Sequence, residues 1–273
     1  MQYEKNLERY EDYLMQKELS DGSIRIYVRE AARLLDFLKG RPVTKETMIA
    51  YKKELLSQKQ KAATNNLHIV AANSYLKYAG YEDCVIKTER IQKHRSLDNV
   101  ITAEEYRQVL DYAKESGREK YYYIFKTLAL TGMRISELRF LTREVLENGK
   151  FTVDNKGKIR EIYLSERLVR DLLLYCENSK LYAGVIFRGN REAPISRIAV
   201  YKMLRYLGDM VGIDKRKLHP HSLRHLFAVT YMKQFADLTE LADILGHSSL
   251  ETTRIYTTTT AEEKRKRLNG LHF

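Results

Sequence analysis

The chain has 273 residues, 44% hydrophobic and 31% charged, with 48 Lys and Arg against 36 Asp and Glu and a net charge of +12. No apolar run approaches the roughly 20 residues of a membrane span. The charged start MQYEKNLERYEDYL does not read as a signal peptide, and two distant cysteines, Cys84 and Cys176, argue against a disulfide scaffold or thiolate zinc site and for a reducing cytoplasm. The basic excess points to a polyanionic partner, nucleic acid ahead of a membrane surface.

Leu7, Tyr10 and Leu14 recur at helical spacing. After the turn Ser20-Asp21-Gly22-Ser23, the apolar stripe Ile24, Tyr27, Val28, Ala31, Leu34, Leu35 and Leu38 predicts a second helix. Gly40 and Pro42 close it, since glycine accepts a left-handed end and proline cannot continue the ladder. A third helix is expected after Thr44, with Met48, Ile49, Leu55 and Leu56 apolar. A fourth follows Thr64 and ends at Gly80, completing a small bundle over 1–82. Residues 83–96 lack periodicity and carry Lys87, Arg90, Lys93, His94 and Arg95, which reads as a basic linker. A second unit, 97–273, opens at Thr102 and Glu105, three apart as in a capping box. Helical periodicity runs over Tyr106–Ala113 and Tyr121–Leu130. Short β-rich pieces then follow at Val145-Leu146, Phe151–Val153 and Ile159–Leu164, split by Asn148-Gly149 and Asn155-Lys156-Gly157, and predict a meander of two or three strands. Helices return from Ser165. The fold class is mainly α, with a small antiparallel β-sheet in the second unit.

Both units are basic: residues 1–95 hold 18 Lys and Arg against 13 acids, and the remainder 30 against 23. Such a spread suits a protein that clamps a polyanionic partner between its domains, although any one cluster reads equally well as a solvated helix face. Lys52, Lys53, Lys59 and Lys61 form the strongest candidate for tracking phosphates, joined by Arg95 in the linker. Asn65, Asn66 and His68 open the next helix, where they either reach base edges or serve as surface polar residues.

Three segments cluster cationic and polar groups. In Leu130-Thr131-Gly132-Met133-Arg134-Ile135-Ser136-Glu137-Leu138, the glycine ends one helix and Arg134 stands near the start of the next, where a forked guanidinium and free backbone N–H groups suit an anionic oxygen. In Leu218-His219-Pro220-His221-Ser222-Leu223-Arg224-His225, His221 and Arg224 share a helical face if the helix begins at Pro220. The third, Leu245-Gly246-His247-Ser248-Ser249, precedes Tyr256 by nine residues counted from His247. His221 and His225 also have the i, i+4 spacing of a metal pair. No third ligand stands out beyond His219 or a distant carboxylate, so no metal is expected.

The ordered motifs TGMRISEL, NKGKIR, HPHSLRHLFA, LGHSS and TTRIYT resemble the tyrosine recombinase (phage integrase) family, its small Xer-like members in particular. The N-terminal ELSDGSIRIYVREAARLLDFL is similar to that family's SAM-like core-binding domain. The resemblance implies Arg134, Lys156, His221, Arg224 and His247 as catalytic residues and Tyr256 as the nucleophile, with Glu137 orienting Arg134. Lys158 remains the alternative to Lys156 as the hairpin lysine. The sequence departs from the family pattern at Tyr163, where a proline usually precedes the final leucine.

The chemistry so implied is site-specific recombination. Tyr256 attacks a scissile phosphate, the bond is stored as a 3′-phosphotyrosine, and strands exchange through a Holliday junction without cofactor or ATP. Arg134, Arg224 and His247 would meet the developing charge, a lysine would protonate the leaving 5′-oxygen, and His221 would manage the tyrosine's proton. The implied partners are double-stranded DNA with an inverted-repeat core site, a homotetramer coupled through the tail Lys264–Phe273, and accessory proteins. The competing readings are a type IB topoisomerase-like enzyme and a silent DNA-binding protein.

Overall fold

A computed structural model describes residues 2–91, 99–155, 158–246, 250–257 and 269. The chain divides into two compact units, Met1–His94 and Arg95–Phe273. Among the described residues no helix is long and apolar enough to cross a membrane.

The first unit consists of α1 (Gln2–Gln16), α2 (Asp21–Leu38), α3 (Lys45–Ser57) and α4 (Ala62–Tyr78). Most of the apolar positions read from the sequence face inward, Tyr10, Leu14, Leu34, Met48, Tyr51, Ile69 and Leu76 being buried together, whereas Ile49 of α3 is 45% exposed. Thr44 caps α3, its hydroxyl accepting from Thr47 N at 3.2 Å. The fourth helix starts two residues before Thr64, because Ala62 and Ala63 extend it back to Lys61.

One stretch read as linker is instead part of this unit. Asn73 Nδ2 donates to Ile86 O at 2.8 Å while its Oδ1 accepts from Ile86 N at 2.9 Å. One helical face further up, Asn66 does the same for Glu89, at 2.9 and 2.7 Å. Two amide side chains on α4 thus replace the edge of a neighbouring strand, satisfying backbone groups that a loop against a helix would otherwise leave unpaired. Lys45 and Lys52 donate to the carbonyls of Val85 and Lys87, and Ile86 enters the core at 4% exposure.

The second unit begins with α5 (Ala103–Glu115), closed by the reciprocal box of Thr102 N to Glu105 Oε2 at 2.8 Å and Glu105 N to Thr102 Oγ1 at 3.1 Å. Next come α6 (Glu119–Thr131), a 3₁₀ segment Ile135–Phe140, and α7 (Val145–Asn148). The sheet holds β1 (Lys150–Asn155) and β2 (Lys158–Tyr163), antiparallel from Lys150 opposite Tyr163 to Asn155 opposite Lys158. Val145-Leu146 is therefore not a strand. Gly149, at φ 64, closes that helical turn with its N–H on Val145 O, so the Asn-Gly pair is a helix end rather than a hairpin turn. The chain continues through α8 (Glu166–Asn178), α9 (Arg197–Met210), α10 (Pro220–Phe235), α11 (Leu238–Leu245), α12 (Leu250–Thr253) and a 3₁₀ turn, Arg254–Thr257. Phe125, Leu128, Leu138, Val153, Leu172, Phe187, Leu207 and Leu223 centre the core, and α6 packs on α10.

Candidate active site

Gly132 ends α6 at φ 60, and a Cβ there would lie 2.6 Å from Phe227 Cδ1, so only glycine lets the chain turn this close to α10. Arg134 follows in extended conformation. Its backbone N–H donates to Glu137 Oε2 at 2.6 Å and its Nη1 to Glu137 Oε1 at 3.2 Å. Glu137 is fully buried and also accepts from Arg160 Nη2, on β2, at 2.7 Å. One carboxylate therefore orients two guanidiniums, which is what makes its burial tolerable.

Three arginines converge on the end of α11. The carbonyls of Ile244 and Leu245 have no partner within the helix, and they accept from Arg160 Nη1 and Arg224 Nη2 respectively. Gly246 O accepts from Arg134 Nη2 at 3.4 Å. Cations at a helix C-terminus meet the negative end of its dipole, so the arrangement stabilises both the helix and the arginines. Arg224 also donates from Nη1 to Gly132 O at 2.8 Å, joining the ends of α6 and α11. Gly246 has φ 61, and a Cβ there would collide with Arg160 Cδ. Burial, then the charges of Arg134 and Arg160, push the Arg224 guanidinium down to about 9, still charged at neutral pH. Three guanidiniums against one carboxylate leave a net positive site that an anion would complete.

Pro220 occupies the first position of α10, and His219 caps it, its Nδ1 accepting from Ser222 N at 3.1 Å. His221 stands exposed on the first turn, and its ordinary value is lowered by packing and by the charges of Arg224 and Arg134. Tyr256, in the C-terminal 3₁₀ turn, is 9% exposed and packs with Ala228, Leu241 and Leu245. Burial raises its hydroxyl to about 12, with Arg224 opposing. Its Oη lies 2.5 Å from Nδ1 of His225, which burial and then the charges of His221, His219 and Arg224 push down to about 4. Among the described residues no group of three or more His, Cys, Asp or Glu is placed to hold a metal ion.

The phage integrase family model matches residues 99–263, and the N-terminal SAM-like domain of phage integrases matches residues 7–83. The chain belongs to the phage integrase family. It is 28% identical over 267 residues to the tyrosine recombinase XerA of Thermococcus onnurineus, covering 95% of this chain and 93% of that one. Against XerD of Staphylococcus aureus it is 28% identical over 288 residues, covering 99% and 90%. A structure of the Tn1549 transposon integrase with circular intermediate DNA shares the fold at TM-score 0.75 and 18% identity, covering 96% and 98% of the two chains. As a tyrosine recombinase, the protein is an enzyme that breaks and rejoins DNA at specific sites.

In this recombinase Arg134, Glu137, Arg224, His221 and Tyr256 gather around the end of α11, while Lys156 and His247 lie outside the described residues, as does Arg95. Two members of the cluster escape sequence reasoning. Arg160 sits in a strand with no spacing to its partner Glu137, and His225 was legible only as a histidine one turn after His221. In the first unit, Lys53, Lys59 and Lys61 are exposed, whereas Lys52 is half-buried and tied to Lys87 O. Asn65 is 3% exposed, Asn66 holds Glu89, and His68 is buried between Glu30 Oε2 at 2.7 Å and Gln60 Oε1 at 3.0 Å. Their polar atoms face this unit's own chain, so in this structure they are not the free base-reading edge expected of them.

Proposed function

We propose that this recombinase cleaves DNA by attack of Tyr256 Oη on a scissile phosphate, forming a 3′-phosphotyrosine and exchanging strands through a Holliday junction. The observation that carries the reading is the buried Tyr256 hydroxyl close enough to Arg224 to feel its charge, in a site where Arg134, Arg160 and Arg224 outnumber the carboxylate of Glu137. Arg134 and Arg224 hold the non-bridging oxygens, the pentavalent phosphorane's added negative charge is met by donors already in place, and removal of one such donor typically costs on the order of 10²–10³ in rate. The leaving 5′-oxygen takes its proton from the hairpin lysine, Lys156 or Lys158, and His221 and His247 complete the donor set around the phosphate. The DNA partner is a duplex with an inverted-repeat core site, bound along Lys53, Lys59, Lys61 and Arg95 as well as the catalytic unit, in the cytoplasm and with accessory proteins where assembly requires them.

A covalent-capture selection tests the reading. Wild type and Tyr256→Phe are incubated with a partly randomised, nicked duplex library and denatured in SDS, and the protein-linked DNA is sequenced. Adducts with wild type alone, enriched for an inverted repeat, are expected. Adducts without sequence preference would favour a topoisomerase-like enzyme, and adducts retained by Tyr256→Phe would remove Tyr256 as the nucleophile.

The tetramer has its own support. A groove of about 1480 Å³ on the catalytic unit runs on from the phosphate site, with Arg134 and Arg160 in its lining, and carries Ile159 and Tyr163 of β2, Phe227, Tyr231 and Phe235 of α10, and the carboxylates of Glu161, Glu240 and Asp243. The tail, Lys264 to Arg267 followed by Leu268, Leu271 and Phe273, matches the groove's apolar side chains and its carboxylates, away from the arginines that hold the phosphate. The tail of a second copy in this groove couples neighbouring protomers.

A further inference from the structure

Taking Tyr256 as the nucleophile leaves a question of proton transfer. Oη must lose its proton as it attacks, yet the side chain is 9% exposed, so bulk water is a poor acceptor. Arg224, whose charge reaches the hydroxyl, offers donors only. Among the described residues the one acceptor bonded to Oη is Nδ1 of His225, at 2.5 Å. His221, a full turn earlier on α10, stands exposed with its ring centroid 6.5 Å from that of His225, whereas the Tyr256 ring is 5.5 Å from His225 and bonded to it.

We propose that His225, rather than His221, takes the proton of Tyr256 during strand cleavage and returns it during rejoining. The inference rests on the nucleophile reading of Tyr256. As the Oη–P bond forms and the P–O5′ bond breaks, the phenolic proton passes to Nδ1. The leaving oxygen takes a separate proton from the hairpin lysine, and rejoining reverses both transfers. The ring is prepared for this role. The titratable and charged groups facing it are His219, His221 and Arg224 from the start of α10 and Tyr256 from the C-terminal turn. Burial and these groups keep it neutral, and the transfer uses the tautomer in which Nε2 carries the hydrogen and Nδ1 turns its lone pair to Oη. In the free enzyme the transfer is uphill, because the phenol is held well above its usual range and the imidazole well below. An incoming phosphate eases protonation of the ring, because its negative charge offsets Arg224, one of the charges that disfavour an imidazolium. The phenol becomes acidic only as the Oη–P bond forms, so the proton moves to Nδ1 together with attack and no free phenolate has to build up. Proton transfer is thereby coupled to the presence of DNA.

The test is single-turnover cleavage of the nicked duplex recovered by the capture selection, by the full chain, across pH. His225→Gln keeps a polar side chain of similar size but cannot accept the proton. It is expected to cleave about 10²–10⁴-fold more slowly, the usual contribution of general base catalysis, while binding the duplex with unchanged affinity and melting cooperatively. Its rate should rise about tenfold per pH unit where wild type has reached a plateau, because attack then waits for spontaneous phenolate. Placing a more acidic fluorinated tyrosine at position 256 should restore much of the lost rate to His225→Gln and little to wild type. His221→Gln, which removes a donor to the phosphate, should slow cleavage without the tenfold rise per pH unit and without rescue by fluorotyrosine. Cleavage by His225→Gln at the wild-type rate overturns the proposal. So does a slow variant with an unchanged pH profile and no gain from fluorotyrosine, which would mark a packing role. If His225→Gln does not fold, the wild-type profile decides alone: a plateau in the histidine range supports the transfer, and a rate climbing to the titration of the phenol itself overturns it. Absence of any adduct with wild type would instead fail the nucleophile reading.

Discussion

Glu137 shows what a single buried carboxylate can organise. It accepts from the backbone and side chain of Arg134 and from Arg160, and through them it fixes guanidiniums that also cap the end of α11. It balances one positive charge of three, and the imbalance is the chemical point, since a site neutral in itself would have little left for a phosphate. The histidines on α10 answer to the same field. Burial first, and neighbouring charges next, lower His219, His221 and His225 from the ordinary value, His225 to about 4. A histidine kept neutral in the fold protonates freely in the unfolded chain, so below about pH 6.5 the unfolded state binds more protons and is favoured. Stability contributed this way is complete above pH 6.5 and is lost as pH falls towards 4. For His225 the loss is on the order of 2–3 kcal/mol. Urea unfolding of wild type and His225→Phe at pH 7.5 and again near pH 4.5 checks it. The wild type should lose more stability between the two than the variant, and parallel losses would assign the acid sensitivity elsewhere.

At the scale of elements, the segment after α4 depends on two asparagines seven residues apart. Each satisfies both backbone groups of one strap residue, Asn73 those of Ile86 and Asn66 those of Glu89. Asn73→Ala leaves the N–H and C=O of Ile86 unpaired beside an apolar core, which costs about 1–3 kcal/mol, and loosens the buried Ile86 side chain. Urea unfolding should register the loss, and limited proteolysis should cut between residues 82 and 91 faster than in wild type; an unchanged cleavage rate would mean that Lys45 and Lys52 hold the strap without the amides. The strap also marks where sequence reasoning stopped. The helices were legible because apolar spacing, Thr44, the Thr102–Glu105 box and Pro220 are local signals. The strap was not, because an asparagine facing solvent and one facing another stretch of backbone look alike in sequence. For that reason the sequence leaves Asn65, Asn66 and His68 open between base-reading edges and surface polar residues. The Asn148-Gly149 pair misled differently: a left-handed glycine ends a short helix as readily as it turns a hairpin, and only the bond from Gly149 N to Val145 O decides. Within the site, Arg134, Arg224 and Tyr256 were legible from ordered motifs, whereas Arg160 and His225 needed the fold, since their partners lie 23 and 31 residues away.

For the whole molecule, the excess charge on both units suits a polyanion, but charge does not specify an assembly. The groove beside β2 is more specific. Ile159, Tyr163 and Phe235 are 73%, 59% and 63% exposed, an apolar concentration that a protein working alone has reason to cover. Its carboxylates, Glu161, Glu240 and Asp243, outnumber Arg134 and Arg160 in the lining and favour an occupant that is basic as well as apolar, and residues 264–273 have that composition. If that occupant comes from a second copy, the groove links protomers on DNA, and deleting residues 268–273 removes the apolar half of the link while leaving the catalytic groups untouched. Binding of the truncated protein to a single half-site should then match wild type, whereas binding to the paired site should lose cooperativity by about tenfold, the effect of roughly 1.4 kcal/mol of protomer contact. Reversing the groove's charge with Asp243→Lys should weaken the paired complex of the full-length chain and have little effect on the truncated one, because the two changes act on one contact. Should truncation leave cooperativity unchanged, the tail lies on its own protomer or on DNA, and the exposed face of β2 and α10 meets some other part of its neighbour.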